Sequence, residues 1–283
     1  MNLFIIGAGS MAQALIGAWH QGSHHITVTN HSNDERLQQM QERFDVSTSR
    51  STSRAAEADV IILSCKPKDW EEAAGRYISV VKPGTLVISV MAGVTIESMK
   101  HAVPQAHIVR AMPNTSAAVR ASMTSLAFDK DITEDQQKQV LALFEEAGET
   151  AVLEESLMDA ATALTGTGPA YIYYLMESME MAAANIGIPE EIGRKLVAQT
   201  LIGASRRVQE EETTPKELYE QIMSPGGTTE AGFHVLQEEH VQEALISCIA
   251  RAHERSQELG RSGITPGAAA ETSMQGESLK RTT

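Results

Sequence analysis

Through the first half of the chain, short apolar runs recur at residues 3–6, 26–30, 59–64, 85–90, 108–115 and 125–128, each closed by glycine, proline or polar residues. Runs so short, apolar at consecutive rather than alternate positions, predict strands buried on both faces. Between them apolar residues fall at helical spacing. Met11, Leu15, Ile16 and Trp19 share one face; Val140, Leu141 and Phe144 share another, in a helix over 133–147 that Thr133 caps and Gly148 closes. Strands alternating with helices make residues 1–155 a doubly wound α/β sheet. From Ser156 to residue 260 the pattern is helical almost throughout, so this second part is all-α. Gly166-Thr167-Gly168-Pro169 interrupts it, Pro189 opens a helix to about Val208, Thr214-Pro215-Lys216-Glu217 is a capping box, and residues 241–259 form the last helix. The strongly apolar stretch 171–184 carries Met176, Met179 and Met181 as core residues, and its breadth predicts burial against a second subunit. The Gly, Ala, Ser and Thr-rich tail 261–283 is expected to be disordered.

The first strand runs directly into Gly7-Ala8-Gly9-Ser10-Met11-Ala12 and then a helix, the order of a dinucleotide fingerprint in a Rossmann-type sheet. Gly7 makes the turn, Gly9 lets a pyrophosphate approach the backbone, and Ala12 permits close packing of the helix. At the end of the second strand, where NAD-preferring folds place an acid, stands Asn30-His31-Ser32-Asn33. With no carboxylate there to repel a 2′-phosphate, and with Asn30, Ser32 and Arg36 able to bond one, the expected cofactor is NADPH, with NADH as the alternative. Ser32 followed by Glu35 is also a capping box, and both roles can hold together. Lys66-Pro67 and Ala92-Gly93 end later strands and are expected along the cofactor, as is Asn114; a solvated loop lysine is the other reading of Lys66.

Ser224-Pro225-Gly226-Gly227-Thr228-Thr229-Glu230 leads into a helical pattern at Ala231, Val235 and Leu236. Such a turn points the amides of Gly226, Gly227 and Thr228 at a helix start, which suits a small carboxylate, with two threonine hydroxyls beside it. An ordinary glycine turn with a threonine cap has the same composition.

A net charge of −14 argues against binding nucleic acid or an anionic membrane surface. The N-terminal residues carry no basic leader, no run reaches a spanning length, and Cys65 and Cys248 read as reduced, buried and structural, so a cytoplasmic location is expected. The nine histidines include no zinc-ligand spacing, and no metal is expected.

Four stretches in order, GAGSMA at Gly7, RAMPNTSA at Arg110, TGTGPAY at Thr165 and SPGGTTEAG at Ser224, together resemble pyrroline-5-carboxylate reductase, and the likeness runs to about Gly260. The resemblance implies NAD(P)H-dependent reduction of the ring imine of 1-pyrroline-5-carboxylate to proline. It implies a homodimer with interlocking helical domains, 156–260 being the dimerisation and substrate domain, often assembled further into a decamer. By motif, Gly7, Gly9, Ser10 and Met11 would bind pyrophosphate and Asn30 and Ser32 the adenosine end. Lys66, Pro67, Ala92 and Gly93 would meet the middle and the nicotinamide. Gly226, Gly227, Thr228 and Thr229 would hold the substrate. Apart from the resemblance, Thr229 is the candidate catalytic residue, its hydroxyl hydrogen-bonding the ring nitrogen, with a first-turn cap as its other reading. Departures from the family pattern are Ser116 for proline, Arg120 in a turn that commonly contains glycine, and Thr165 and Thr167 for serines. The competing readings are a reductase of another cyclic imine, a β-hydroxyacid enzyme, and a regulatory paralogue without turnover. The second usually needs a catalytic lysine that residues 165–171 lack, and the intact glycine and threonine motifs weigh against the third.

Overall fold

The computed structural model describes residues 1–262. They form two compact units, Met1–Gly166 together with the described chain from His253 onward, and Thr167–Ala252. The expected tail lies outside the described residues except for its first two, which extend the last helix.

In the first unit the elements are β1 (Asn2–Ile6), α1 (Ser10–Trp19), β2 (His25–Thr29), α2 (Asp34–Phe44), β3 (Ser47–Thr48), α3 (Thr52–Ala56), β4 (Val60–Leu63), α4 (Trp70–Ile78), β5 (Leu86–Ser89), α5 (Ile96–Ala102), β6 (His107–Met112), β7 (Ser122–Phe128), α6 (Glu134–Glu145), β8 (Gly148–Val152) and α7 (Met158–Ala161). The sheet order is β3-β2-β1-β4-β5-β6-β7-β8. The first six strands in sequence are parallel, β7 runs antiparallel to β6, and β8 is parallel to β7. Each parallel strand divides its apolar side chains between two layers. Leu3, Ile5, Val28, Ile62, Ile88 and Val109 meet α1, α2 and α6 on one face. Phe4, Ile6, Ile61, Leu63, Val87 and Ile108 meet Trp70, Tyr77 and Met99 on the other. Each such side chain, fully buried, contributes about 1.5–3 kcal/mol. Trp19 also donates its indole N–H to the Leu143 carbonyl at 2.8 Å, locking α1 to α6.

Two expectations at element ends need correction. Gly148 does not close α6; it opens β8, at φ +144, with a Cβ position only 2.1 Å from the Ser122 carbonyl, so only glycine fits. The Ser32–Glu35 capping box does not form, because the chain turns one residue later. Asn33 caps α2, accepting the Arg36 N–H at 2.8 Å. Asn30 holds Asn33 in place from both ends of its amide, and an asparagine is at least as good a cap as serine. The Thr133 and Thr214 capping boxes both form.

The second unit is helical: α8 (Gly168–Asn185), α9 (Glu190–Glu210), α10 (Pro215–Ile222), α11 (Thr228–Glu238) and the first part of α12 (Val241–Ser262). The methionines expected in its core are not buried within the chain; Met181 is 64% exposed, and Ile172, Tyr173, Tyr174 and Leu175 share that exposure. Cys65 is half-buried and Cys248 is exposed, which corrects the expectation that both lie in a core. Among the described residues no helix is long and apolar enough to cross a membrane, and no cluster of His, Cys, Asp and Glu could hold a metal.

Candidate active site

The residues expected at the cofactor follow the ends of parallel strands, so the topology gathers them along one edge of the sheet. Gly7 has φ +117 and a Cβ there would stand 2.4 Å from the Ser64 carbonyl at the end of β4, so the turn requires glycine. Its N–H donates to the Thr29 carbonyl at 2.9 Å, joining the ends of β1 and β2. Gly9 is the N-cap of α1 with no side-chain cap, and a Cβ on it would meet nothing within 4 Å. That leaves the first-turn amides, including Ser10 and Met11, facing open space at the positive end of a helix, where a phosphate group fits. Ala12, fully buried, allows α1 this approach.

At the end of β2, a residue absent from the sequence expectations holds Asn30 in place. Arg50, after β3, donates from Nε to the Asn30 carbonyl at 3.1 Å and from Nη2 to its side-chain oxygen at 2.9 Å, while Nη1 pairs with Asp34. Ser32 is exposed beside them. The only sequence signal for Arg50 is its place as the first of two arginines in the Ser and Thr-rich stretch 47–54. Lys66 is exposed ahead of a tight turn at Pro67–Asp69, and no described residue pairs its ammonium. Gly93, at φ +75, is buried in the loop between β5 and α5, next to the half-buried Ala92. Between them Cys65 places Sγ 3.6 Å from Met91 Sδ, and burial pushes its thiol up to about 11. Asn114 is 7% exposed and has both ends of its amide engaged. Its Oδ1 accepts the Ser116 N–H and its Nδ2 donates to the Thr165 carbonyl, each at 3.0 Å. A cavity of about 330 Å³ lined by His20, His24, His25 and Arg54 sits at the opposite, amino edge of the sheet and includes none of these residues.

In the helical unit, residues 223–227 join α10 to α11, and Tyr219 packs on Phe233 at 4.8 Å between ring centres to fix the two helices around that loop. Gly226 takes φ +72, and a Cβ on Gly227 would lie 2.5 Å from Ser224 Oγ. The amides differ from expectation. Gly226 N–H donates to Glu230 Oε2 at 2.7 Å and Gly227 N–H to the Ser224 carbonyl at 2.9 Å, so neither is free for a ligand. Among the described residues no hydrogen bond engages the amide or hydroxyl of Thr228 or Thr229. The unpaired backbone donors at the start of α11 are therefore the amides of Thr228, Thr229 and Glu230, with the two threonine hydroxyls beside them. Glu230 carried no sequence signal beyond its place in the first turn of the helix.

Similarity to known proteins runs through both units. A family model for pyrroline-5-carboxylate reductase dimerisation matches residues 155–259, and one for NADP oxidoreductase, coenzyme F420-dependent, matches residues 2–93. Pyrroline-5-carboxylate reductase 2 of Bacillus subtilis is 40% identical over 90% of this chain and 93% of its own length. The Arabidopsis thaliana pyrroline-5-carboxylate reductase is 33% identical over 91% of this chain and 95% of its own. Among solved structures, the Plasmodium falciparum pyrroline carboxylate reductase with NADP bound superposes with a TM-score of 0.85 at 26% identity, covering 92% of this chain and 98% of that one. The Coxiella burnetii pyrroline-5-carboxylate reductase gives 0.80 at 32% identity, covering 91% and 98%. With such identity sustained along nearly the whole of both chains, on one sheet topology and one helical segment, the chain belongs to the pyrroline-5-carboxylate reductase family.

Proposed function

We propose that this protein reduces 1-pyrroline-5-carboxylate to L-proline, the last step of proline synthesis, using NADPH with NADH as the alternative donor. The observation that carries this reading is the unengaged amides and hydroxyls of Thr228 and Thr229 at the start of α11, beside the internally bonded amides of Gly226 and Gly227. Residues 1–155 act as the dinucleotide-binding domain and 156–260 as the dimerisation and substrate domain. The uncapped start of α1 suits a pyrophosphate: Gly9 leaves open space, and no acid stands in the first turn to oppose it. Asn30, Ser32 and Arg50 hold the adenosine phosphate, and Lys66, Pro67, Ala92 and Gly93 follow the molecule toward the nicotinamide. When bound, NADPH supplies the hydride.

The chain's own part is positioning and proton placement. Thr228 and Thr229 amides hold the substrate carboxylate at the positive end of α11. The Thr229 hydroxyl hydrogen-bonds the ring nitrogen, steadying it as it becomes an amine. A cyclic imine is basic enough to be protonated near neutrality, so orientation and exclusion of water matter more than a strong acid.

The exposed apolar face of α8 is the interface with a second copy, and further assembly to a decamer builds on that dimer. A cytoplasmic location accords with two cysteines left unpaired. Loss of NADPH absorbance, followed with pyrroline-5-carboxylate and with the six-membered piperideine-carboxylate side by side, tests the substrate. Faster turnover of the larger ring would move the assignment to another cyclic imine, and no turnover of either would favour a regulatory role.

A further inference from the structure

The last turns of α12 belong to the same compact unit as the sheet, and they meet it at a buried polar node. Ser256, 3% exposed, donates its hydroxyl to Asp159 Oδ1 at 2.9 Å. The same oxygen accepts Arg110 Nη2 at 2.7 Å. Arg110 is 2% exposed in the middle of β6, between Ser89 of β5 and Ala127 of β7. Its Nη1 lies 3.7 Å from Glu155 Oε1, and that carboxylate oxygen accepts the Ile96 N–H at 2.6 Å. One turn beyond Ser256, Gly260 rests on Gly93 backbone to backbone. A Cβ on Gly93 would stand 2.7 Å from Gly260 N, and one on Gly260 would stand 3.0 Å from the Gly93 carbonyl.

Residues 93–96 are thus held at both ends by groups that converge on Arg110. Gly93 is fixed by the helix that Ser256 ties to Asp159, and Ile96 is fixed by Glu155. Burying a guanidinium beside two part-exposed carboxylates is a poor route to stability, because desolvation of the cation offsets most of the attraction. Charge-assisted hydrogen bonds are directional, however, and such a node sets geometry to a fraction of an ångström.

We infer that Arg110, Asp159 and Ser256 are positioning residues for the Ala92–Gly93 loop. They seat the end of α12 so that Gly260 fixes where that loop stands. The inference rests on the proposed assignment of Ala92 and Gly93 to the nicotinamide side of the cofactor. None of the three bonds to Gly7–Met11, Asn30 or Ser32, so the adenosine end should be indifferent to them.

The test compares NADPH with 2′,5′-ADP, which carries the adenosine end alone, as ligands of the full-length protein, with melting temperatures measured on the same samples. Two variants perturb the contact independently: Ser256→Ala removes the tether, and Gly260→Ala puts a methyl against the Gly93 carbonyl. Both are expected to bind 2′,5′-ADP as the wild type does, while NADPH affinity and the rate of hydride transfer fall by about tenfold, as for a small misplacement of a reacting group. Equal losses for the two ligands would mean general destabilisation and overturn the inference. So would unchanged NADPH binding and turnover in both variants. If Ser256→Ala does not fold, Gly260→Ala decides alone. The binding comparison needs no imine, so it stands whatever the substrate assay returns; a wild type that binds 2′,5′-ADP but gains nothing from the nicotinamide half would overturn the loop assignment and the inference with it.

Discussion

Arg50 grips Asn30 by two hydrogen bonds, one to the backbone carbonyl and one to the side-chain oxygen, and is itself neutralised by Asp34. The end of β2 is therefore not merely free of an acid at position 30. It holds a cation whose charge is shared with a carboxylate four residues further along. A 2′-phosphate would draw the guanidinium away from Asp34, whereas a ribose hydroxyl would not.

Arg50→Met should weaken NADPH binding by about tenfold, the cost of one charge-assisted hydrogen bond, and leave NADH nearly unchanged. Asp34→Asn should act in the opposite direction by releasing the guanidinium. Asn30→Asp should shift preference toward NADH, since a carboxylate there repels a phosphate and accepts from a ribose hydroxyl. Specificity constants for both cofactors check all three, and an Arg50→Met enzyme with its cofactor ratio intact would remove Arg50 from the site.

Arg120, where a glycine-containing turn is commoner, adopts φ +55 at the end of the tight turn Thr115–Val119. A left-handed non-glycine residue costs about 1 kcal/mol. Its guanidinium recovers little, with bonds of 3.4 Å to the Ala18 carbonyl and 3.3 Å to Gln21 Oε1. Arg120→Gly should therefore raise stability by about 0.5 kcal/mol, read as a higher urea midpoint. A lower midpoint would mean that the two long bonds outweigh the backbone strain.

Burial raises the Cys65 thiol from an ordinary value of 9.0 to about 11, favouring the neutral form in the folded protein. At mildly alkaline pH its alkylation by iodoacetamide should be about a hundredfold slower in the native protein than in the denatured chain. Above pH 9 the unfolded chain releases this proton while the folded one keeps it, so this group lowers stability as pH rises from about 9 to 11. Mass spectrometry of the Cys65 peptide after timed alkylation measures the rate, and equal labelling in both states would contradict it.

The pattern of the chain made the central strands legible because burial on both faces demands continuous apolar residues, as in Val60–Leu63 and Leu86–Ser89. The edge strands were not legible. Ser47–Thr48 and Gly148–Val152 are paired on one side and partly exposed, so backbone pairing holds them without an apolar run. In the candidate site, the glycines and threonines announced themselves because turns and helix starts constrain residue type locally. Arg50 and the Arg110–Asp159–Ser256 node did not, since each joins residues far apart in sequence by side-chain bonds that leave no local period. The unburied methionines of α8 follow from the same limit. An apolar stretch signals that it will be covered, but not whether its own chain covers it.

Thr229 could have been a helix cap, and its local geometry argues otherwise. Gly227 is the N-cap of α11 and no side chain caps it. Glu230 reaches back to the Gly226 N–H at 2.7 Å, which ties down the loop without using either threonine. Thr229 sits inside the helix, half-buried, with its hydroxyl unengaged among the described residues. Removing that hydroxyl should leave stability within about 0.5 kcal/mol, the range for a substitution that breaks no bond. If the hydroxyl instead steadies the ring nitrogen during hydride transfer, Thr229→Ala should lose about ten- to a hundredfold in kcat with NADPH affinity unchanged, as for one hydrogen bond made chiefly in the transition state. Thr229→Ser keeps the hydroxyl and should recover most of the loss. Glu230→Gln separates the loop from the chemistry: the amide still accepts from Gly226, and the negative charge beside the substrate carboxylate is gone. That variant should lower the KM for the imine with kcat unchanged. Turnover and melting temperature measured on the same three preparations decide the matter, and a Thr229→Ala enzyme with full activity and a lowered melting point would return Thr229 to a capping role.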